Sequence, residues 1–219
     1  MSTELTLTYG ATAAAEIWFD WNGLNTLELE GHVGLRYKPG IGREATSYRA
    51  DLSVYLDEVD TGIRSGTGVA LAFGFRRPVA ELWEVNGSYR YSSYSADHTV
   101  FDEDRHQFSA TVSRFIGEAW SVDGTLSYLD GDFTSTVSGA ALPGYPGPGY
   151  AASWPDPTFG AGYTAYRYDG SGFSIGFGAS YVTAGGDLIV LLLERATIDA
   201  DAGPEYSVRR LGVNWSRDF

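Results

Sequence analysis

The sequence predicts an all-β fold, a single antiparallel up-and-down sheet of about ten strands. Stretch after stretch places apolar residues at every second position, which is the period of a strand with two different faces. The 219 residues include 28 Gly, 15 Tyr, 11 Phe and 6 Trp, a balance that suits short strands and tight turns better than helices. The composition does not shift along the chain, so we expect one domain spanning residues 1–219.

The composition also excludes several kinds of protein. The chain has no cysteine, so disulfides and thiolate metal sites are not available, and we expect neither a metal nor a cofactor. A net charge of −13 argues against a nucleic-acid partner. The longest apolar run, Leu188–Leu193, is too short to cross a bilayer as a helix. Strands can still cross, because they carry apolar residues only at alternate positions.

The number of strands depends on how three stretches are treated. Separate strands for Thr3–Tyr9, Ala14–Trp21 and Leu188–Ile198 give twelve. Fusing the first two and absorbing Leu188–Leu193 into the last hairpin gives ten. We prefer ten, because that count puts both termini at the end of the sheet with the short turns.

The connections at the other end are expected to be long. Two of them are Ser92–Asp104 and Asp130–Pro157, and the second includes the Pro- and Gly-rich segment 142–157, which cannot be central strand. A hairpin is then expected over Phe159–Tyr181, turning at Asp169-Gly170.

Each well-formed strand pairs an apolar row with a row of small, polar or charged residues. In a soluble sandwich the apolar row is the core, whereas in a transmembrane β-barrel it faces lipid and the polar row lines the lumen. The polar rows carry many small residues and charges of both signs, which suits a crowded interior. We therefore predict a closed transmembrane barrel, since only a closed sheet satisfies its backbone in lipid. The predicted lumen-lining residues are Glu28, Glu30, His32, Arg36, Arg49, Asp51, Arg76, Glu84, Arg90, Asp123 and Arg210.

An internal repeat indicates the height of the apolar band. Glu81–Tyr91 aligns with Glu118–Tyr128 at an offset of 37 residues, about the length of a strand pair with its connections. Each copy has Trp near one end and Tyr at the other, as the two interfacial girdles of a barrel require. The predicted girdle comprises Trp83, Tyr91, Trp120, Tyr128, Trp215 and Phe219.

The segment Leu211–Phe219 alternates up to a final aromatic residue. It resembles the closing strand of Gram-negative outer-membrane β-barrels, although Arg217 stands where that class usually has an apolar residue. The resemblance covers the whole chain as a pattern and identifies no subfamily. It implies the bacterial outer membrane as the location, with membrane lipids, lipopolysaccharide and the barrel-assembly machinery as partners.

Candidate catalytic groups are sparse. His32 lies two residues from Glu30 on the polar row, and His98 and His106 flank an acidic loop. No serine lies in a nucleophile motif, and Glu205 follows Asp199 too closely to complete a calcium loop. The sequence therefore predicts no enzyme.

Two functions remain open at this point. One is a small porin-like diffusion channel with a weak cation preference, since six acids face five arginines on the polar rows. The alternative is a closed structural or adhesive barrel whose extracellular loops bind a partner.

The terminal aromatic residue generates a prediction about assembly. Phe219→Asp should abolish insertion into the outer membrane of cells while leaving spontaneous refolding in detergent largely intact, because the resemblance makes this residue a recognition signal more than a packing element. The measurement is the amount of folded protein in isolated membranes. A normal cellular yield of Phe219→Asp would contradict the prediction.

Overall fold

A computed structural model describes residues 4–19, 22–42, 44–139, 150–200 and 205–216. These residues form eleven strands and three single-turn 3-10 helices, and the described residues contain no α-helix. The 3-10 helices span Asn22–Leu24, Thr99–Phe101 and Pro157–Phe159. The strands are β1 Glu4–Glu16, β2 Thr26–Lys38, β3 Ser47–Val59, β4 Gly66–Ala80, β5 Trp83–Ala96, β6 Glu103–Ile116, β7 Trp120–Ser138, β8 Ala152–Pro155, β9 Tyr163–Val182, β10 Leu188–Ala200 and β11 Glu205–Ser216.

Ten of the strands form one antiparallel meander in chain order, and β8 pairs only with β9. The predicted all-β, antiparallel, up-and-down sheet is therefore confirmed. β1 and β11 are its two edges, and no pairing joins them in the described part of the chain.

The two ends of the sheet differ in their connections. At one end, called the turn end, β4 joins β5 through Glu81 and Leu82, and β6 joins β7 through residues 117–119. The start of β1 and the end of β11 lie here too, since Glu4 pairs with Lys38 and Ser216 pairs with Leu188. The opposite end, called the loop end, carries the connection 139–162. The first and last strands thus have their outer ends on the side of the short turns, while the termini themselves, residues 1–3 and 217–219, lie outside the described residues.

The sheet is curved, with its polar face on the inside. Tyr206 on β11 hydrogen-bonds through its hydroxyl to the hydroxyl of Ser135 on β7, three strands away in the sheet order. Three steps span about 14 Å in a flat sheet, well beyond the reach of one tyrosine side chain. At the loop end, the Thr158 hydroxyl donates to the Thr61 hydroxyl over 3.3 Å, although strands β4 and β9 are four steps apart.

The exposure of the two faces is the reverse of that in a soluble domain. On β3, Leu52, Val54 and Leu56 are 43%, 57% and 47% exposed, whereas Ser53 between them is 8% exposed. Cross-strand register continues both rows over the sheet, because directly paired residues share a face. The outer face thus carries a broad apolar belt, interrupted on β10 and β11 by the directly paired Arg195 and Arg209, and the inner face is polar and partly covered.

The strand assignments contain one confirmed fusion and several corrections. β1 runs without a break through Gly10, as predicted, but it ends at Glu16, so residues 17–19 of the predicted stretch Ala14–Trp21 are not strand. The His32 ring lies where a side chain at Gly10 would be, 2.7 Å from an ideal Cβ. Leu188–Leu193 is not absorbed into a neighbouring hairpin but begins the full strand β10, paired on both sides. Thr3 and Trp21 lie outside the described residues.

The hairpin predicted at Asp169-Gly170 is wrong. β9 is a single strand through both residues, and Gly170 pairs with Gly131 on one side and Ala200 on the other. An ideal Cβ at Gly170 would lie 2.6 Å from the carbonyl oxygen of Asp199. The glycine therefore permits close strand approach and does not mark a turn.

The two long loops are also shorter than predicted. β5 continues to Ala96 and β6 begins at Glu103, so the first loop is 97–102. β7 continues to Ser138, and β8 lies inside the Pro- and Gly-rich segment 142–157, as an edge strand ending at Pro155. Residues 140–149 of the second loop lie outside the described residues.

Gly170 provides a test of the continuous strand β9. Gly170→Ala should destabilise the fold by about 1–3 kcal/mol, the usual cost of forcing a methyl group into occupied space. Gly31→Ala is the matched control, because an ideal Cβ at Gly31 meets no atom within 4 Å. The measurement is the guanidinium unfolding midpoint in detergent, and equal midpoints for the two variants would contradict the assignment.

Candidate functional site: the polar inner face

The register brings the eleven predicted lumen residues onto one face. His32 pairs with Ser53 and Arg36 with Arg49, while Asp123 pairs with Gly178 and Arg210 with Glu194. All eleven share the partly covered inner face. Alternation alone was enough to place them, because a strand inverts its side chains at every residue.

The middle of the inner face is lined mainly by small side chains. Gly68, Ala70, Ala72 and Gly74 follow one another on β4, and β9 contributes a row of glycine and serine between residues 172 and 180. Larger groups lie over these glycines, since an ideal Cβ at Gly178 would meet the carboxylate of Asp123 at 2.3 Å. The small residues therefore make space that polar side chains partly fill.

The turn end of the inner face is basic. Arg36, Arg49 and Arg76 lie on the adjacent strands β2, β3 and β4. Arg49 Nε lies 2.5 Å from Asp51 Oδ2, and Arg76 Nε donates to Glu84 Oε2 over 2.6 Å. Two of these three arginines are thus paired with carboxylates.

The loop end holds a separate cluster built around Arg64. Its Nη2 group lies 2.5 Å from Asp156 Oδ2 and donates to the Thr136 hydroxyl over 3.3 Å. The guanidinium carbon lies 4.3 Å from the centre of the Phe101 ring, a cation–π distance. The backbone carbonyl of Arg64 accepts the Tyr94 hydroxyl over 2.8 Å.

A small apolar core supports this cluster. Val100, Phe101 and Ala165 are buried together, with Ile63 and Ala96 packed against them. The Thr134 hydroxyl donates to the carbonyl of Val100 over 3.1 Å. We call the joined β3–β4, β5–β6 and β7–β9 connections the loop-end cap, defined by Thr61, Arg64, Phe101, Asp156 and Thr158.

The cap lies over a polar and aromatic cavity of about 350 Å³. Arg64 and Phe101 line it on the cap side, while Tyr55, Asp57 and Tyr94 line it on the inner face. The rings of Tyr55 and Tyr94 stack with their centres 5.8 Å apart. They meet over Gly68, where an ideal Cβ would lie 2.1 Å from the Tyr55 ring.

Asp156 is held as a carboxylate within the cap. Its side chain is fully buried, and burial alone opposes the charged form. Hydrogen bonds from the side chains of Thr158 and Thr136, together with the charge of Arg64, outweigh that effect and lower the pKa of the Asp156 carboxyl group. The Thr136 hydroxyl donates over 2.7 Å, and the Thr158 backbone amide also donates to the carboxylate, over 3.1 Å.

A second set of charges borders the cap. Arg105 Nη2 lies 2.7 Å from Glu103 Oε1, and Arg167 lies 3.8 Å from both Asp102 and Asp132. The sequence pattern did not include Arg64, Arg105, Arg167 or Asp156 among the site residues. Alternation gives no signal for Arg64 and Asp156, because they lie on two different connections outside the strands.

The predicted girdle residues lie on the outer face where they are described. Trp83, Trp120 and Trp215 are near the turn end, and Tyr91 and Tyr128 are eight residues along their strands from Trp83 and Trp120. The Tyr91 hydroxyl donates to Asp104 over 3.0 Å, and that of Tyr128 donates to Asp130 over 3.3 Å. Each tyrosine thus has its ring in the apolar belt and its hydroxyl on an acidic side chain at the edge of that belt. Phe219 and Arg217 lie outside the described residues.

The histidines have local partners. His106 hydrogen-bonds to the Tyr89 hydroxyl over 2.9 Å, and the His98 ring lies 4.0 Å from that of Trp154. In the described ranges, no group of three or more His, Asp or Glu side chains is arranged to hold a metal ion. Within the same ranges, no helix is long and apolar enough to cross a membrane.

No protein-family model matches the sequence, and no curated protein matches it.

The Arg64–Asp156 pair predicts the acid response of the cap. Because the pKa of Asp156 is lowered, its stabilising contribution is complete above the ordinary aspartate pKa of about 3.9 and is lost as the pH falls below that value. Hydrogen exchange at the Thr158 amide should therefore be slow from pH 7 to about 4 and faster in stronger acid, after correction for intrinsic rates.

Asp156→Ala should give fast exchange at every pH, since it removes the acceptor and leaves a partly buried arginine unpaired, at a cost of about 3 kcal/mol. Asp97→Ala is the control, because the Asp97 side chain is exposed. The backbone amide of this residue donates to the carbonyl of Ser65, and the substitution keeps that hydrogen bond. Slow exchange in Asp156→Ala would show that the pair does not hold the cap.

Proposed function

We propose that the chain closes into a ten-stranded transmembrane β-barrel of the Gram-negative outer membrane and acts as a narrow diffusion channel. The observation that carries the proposal is the reversed exposure of the two faces. A belt of exposed Leu, Val and Phe side chains covers the outer face of the meander. In water such a belt has no stable environment, whereas in a bilayer it faces lipid.

Closure by pairing β1 with β11 is consistent with the topology. Adjacent strands alternate in direction, so the first and tenth strands of the meander run antiparallel to each other. Their outer side chains are the most exposed of the belt, with Leu7 at 64% and Leu211 at 71%. Pairing would satisfy the free backbone groups of both edges, which a bilayer requires.

The height of the belt supports a membrane location. Trp83 and Tyr91 are eight residues apart on one strand, as are Trp120 and Tyr128. Eight residues extend about 26 Å along a strand. At a barrel tilt of about 40° that is a height of about 20 Å, on the scale of the apolar band of about 25 Å in outer-membrane barrels. The resemblance of Leu211–Phe219 to the closing strand of that class points to the same membrane.

The inner face supports a channel with a weak cation preference. Small residues keep the wall thin at mid-height, and the loop end carries Glu28, Asp57 and Glu103. Negative potential concentrates at such an entrance and favours cations. The effect is screened over about 8 Å at physiological ionic strength, so we expect selectivity to fall as salt rises.

The loop-end cap favours a second candidate, a closed structural or adhesive barrel. The Thr61 hydroxyl donates to the carbonyl of Gly23, and the Thr158 hydroxyl donates to that of Thr61. These hydrogen bonds link the β1–β2, β3–β4 and β7–β9 connections. In a closed barrel this chain of contacts would cross the opening. The loops would then bind a partner while the bore stays shut.

Conductance in planar bilayers separates the two candidates. The channel proposal predicts small steps for the natural sequence, with a modest cation preference. Arg64→Ala should give larger steps, because it releases Asp156 and uncovers the cavity below the cap. Arg195→Ala is the control, since Arg195 is exposed on the outer face. Absence of steps in all three proteins, at every salt concentration, would replace the channel by the closed barrel.

A further inference from the structure

We propose that the basic turn end of the inner face is a binding site for small phosphate-bearing anions, formed by Arg36, Arg49 and Arg76. The inference goes beyond the proposed function by assigning a ligand to the end of the inner face opposite the acidic loop end. It rests on the polar inner face of the curved sheet. It does not depend on conduction, so it can be tested separately.

The three guanidinium groups are brought together by the register. Arg36 and Arg49 are direct cross-strand partners, and Arg76 pairs with Ser47, two residues from Arg49. Like charges placed directly opposite each other destabilise a sheet. An anion between them would remove that repulsion.

The carboxylates of the site hold the arginines without using their terminal amino groups. Asp51 and Glu84 contact Arg49 and Arg76 through Nε. Arg36 makes no ion pair within 4 Å with any described residue. The Nη groups are thus available as donors, and two Nη groups on one guanidinium match two oxygens of a phosphate.

The arginines border a hollow of about 300 Å³ that is open to solvent. The side chains of Arg49 and Arg76 are 68% and 56% exposed, so a solute can reach them from the turn end. Ser47 and Asn86 also line the hollow and add neutral hydrogen-bond donors. Three charges against two carboxylates leave the site net positive, whereas the loop end of the same face is acidic.

The test is calorimetric titration of the full chain, refolded in detergent micelles at low ionic strength, with inorganic pyrophosphate. The natural sequence should bind it. Arg36→Gln should bind at least about tenfold more weakly, the loss expected for one charge-assisted hydrogen bond. Arg36→Gln leaves no carboxylate without an ion-pair partner, so the variant should fold. A difference in gel mobility between boiled and unboiled samples checks that it has folded.

Arg114→Gln is the matched control, because it removes the same charge at the same end on the outer face, where Arg114 lies 5.3 Å from the Trp83 ring. Its affinity for pyrophosphate should equal that of the natural sequence. No binding by the natural sequence, or equal losses in both variants, would overturn the site. Succinate binding as tight as pyrophosphate binding would overturn its assignment to phosphate. A protein that binds pyrophosphate but gives no conductance would refute the channel and keep the site.

Discussion

The polarity of the two faces of the sheet is the constraint on which the rest of the structure depends. Apolar side chains such as Val54 and Leu56 point outward, and smaller polar residues such as Ser53 are covered. An antiparallel sheet in water buries its apolar face, and the proposal of a lipid environment rests on this difference. In lipid an unpaired strand edge is costly, because its backbone groups have no hydrogen-bond partners. The proposed lipid environment therefore requires the proposed pairing of β1 with β11.

The two ends of the inner face have opposite electrostatic character. Arginines on three adjacent strands gather at the turn end, while the loop end combines acids with the cap around Arg64. The glycine- and alanine-rich row of β4 connects them and leaves room between. The acidic loop end and the basic turn end are thus separate regions of one face, and the tests of Arg64 and Arg36 address them independently.

The sequence predicted the features that depend on the two-residue period of a strand. It missed the features that depend on contacts between residues far apart in the chain. Alternation placed Arg49 and Trp120 on their correct faces, because a strand reverses its side chains at each residue. Gly170 was misassigned, since a glycine that permits close strand approach has the same local sequence as one that makes a turn. Arg64 and Asp156 meet although 92 residues separate them, and no local pattern records such a pair.

The most direct test of the reversed faces uses the absence of natural cysteine in the chain. Single cysteines at Leu52, Ser53, Val54 and Tyr55 can each carry a fluorophore in protein refolded into vesicles containing a lipid-attached quencher. The account predicts strong quenching at Leu52 and Val54 and weak quenching at Ser53 and Tyr55, repeating with a period of two. Uniform quenching, the opposite phase, or a monomeric protein that stays soluble without detergent would contradict it.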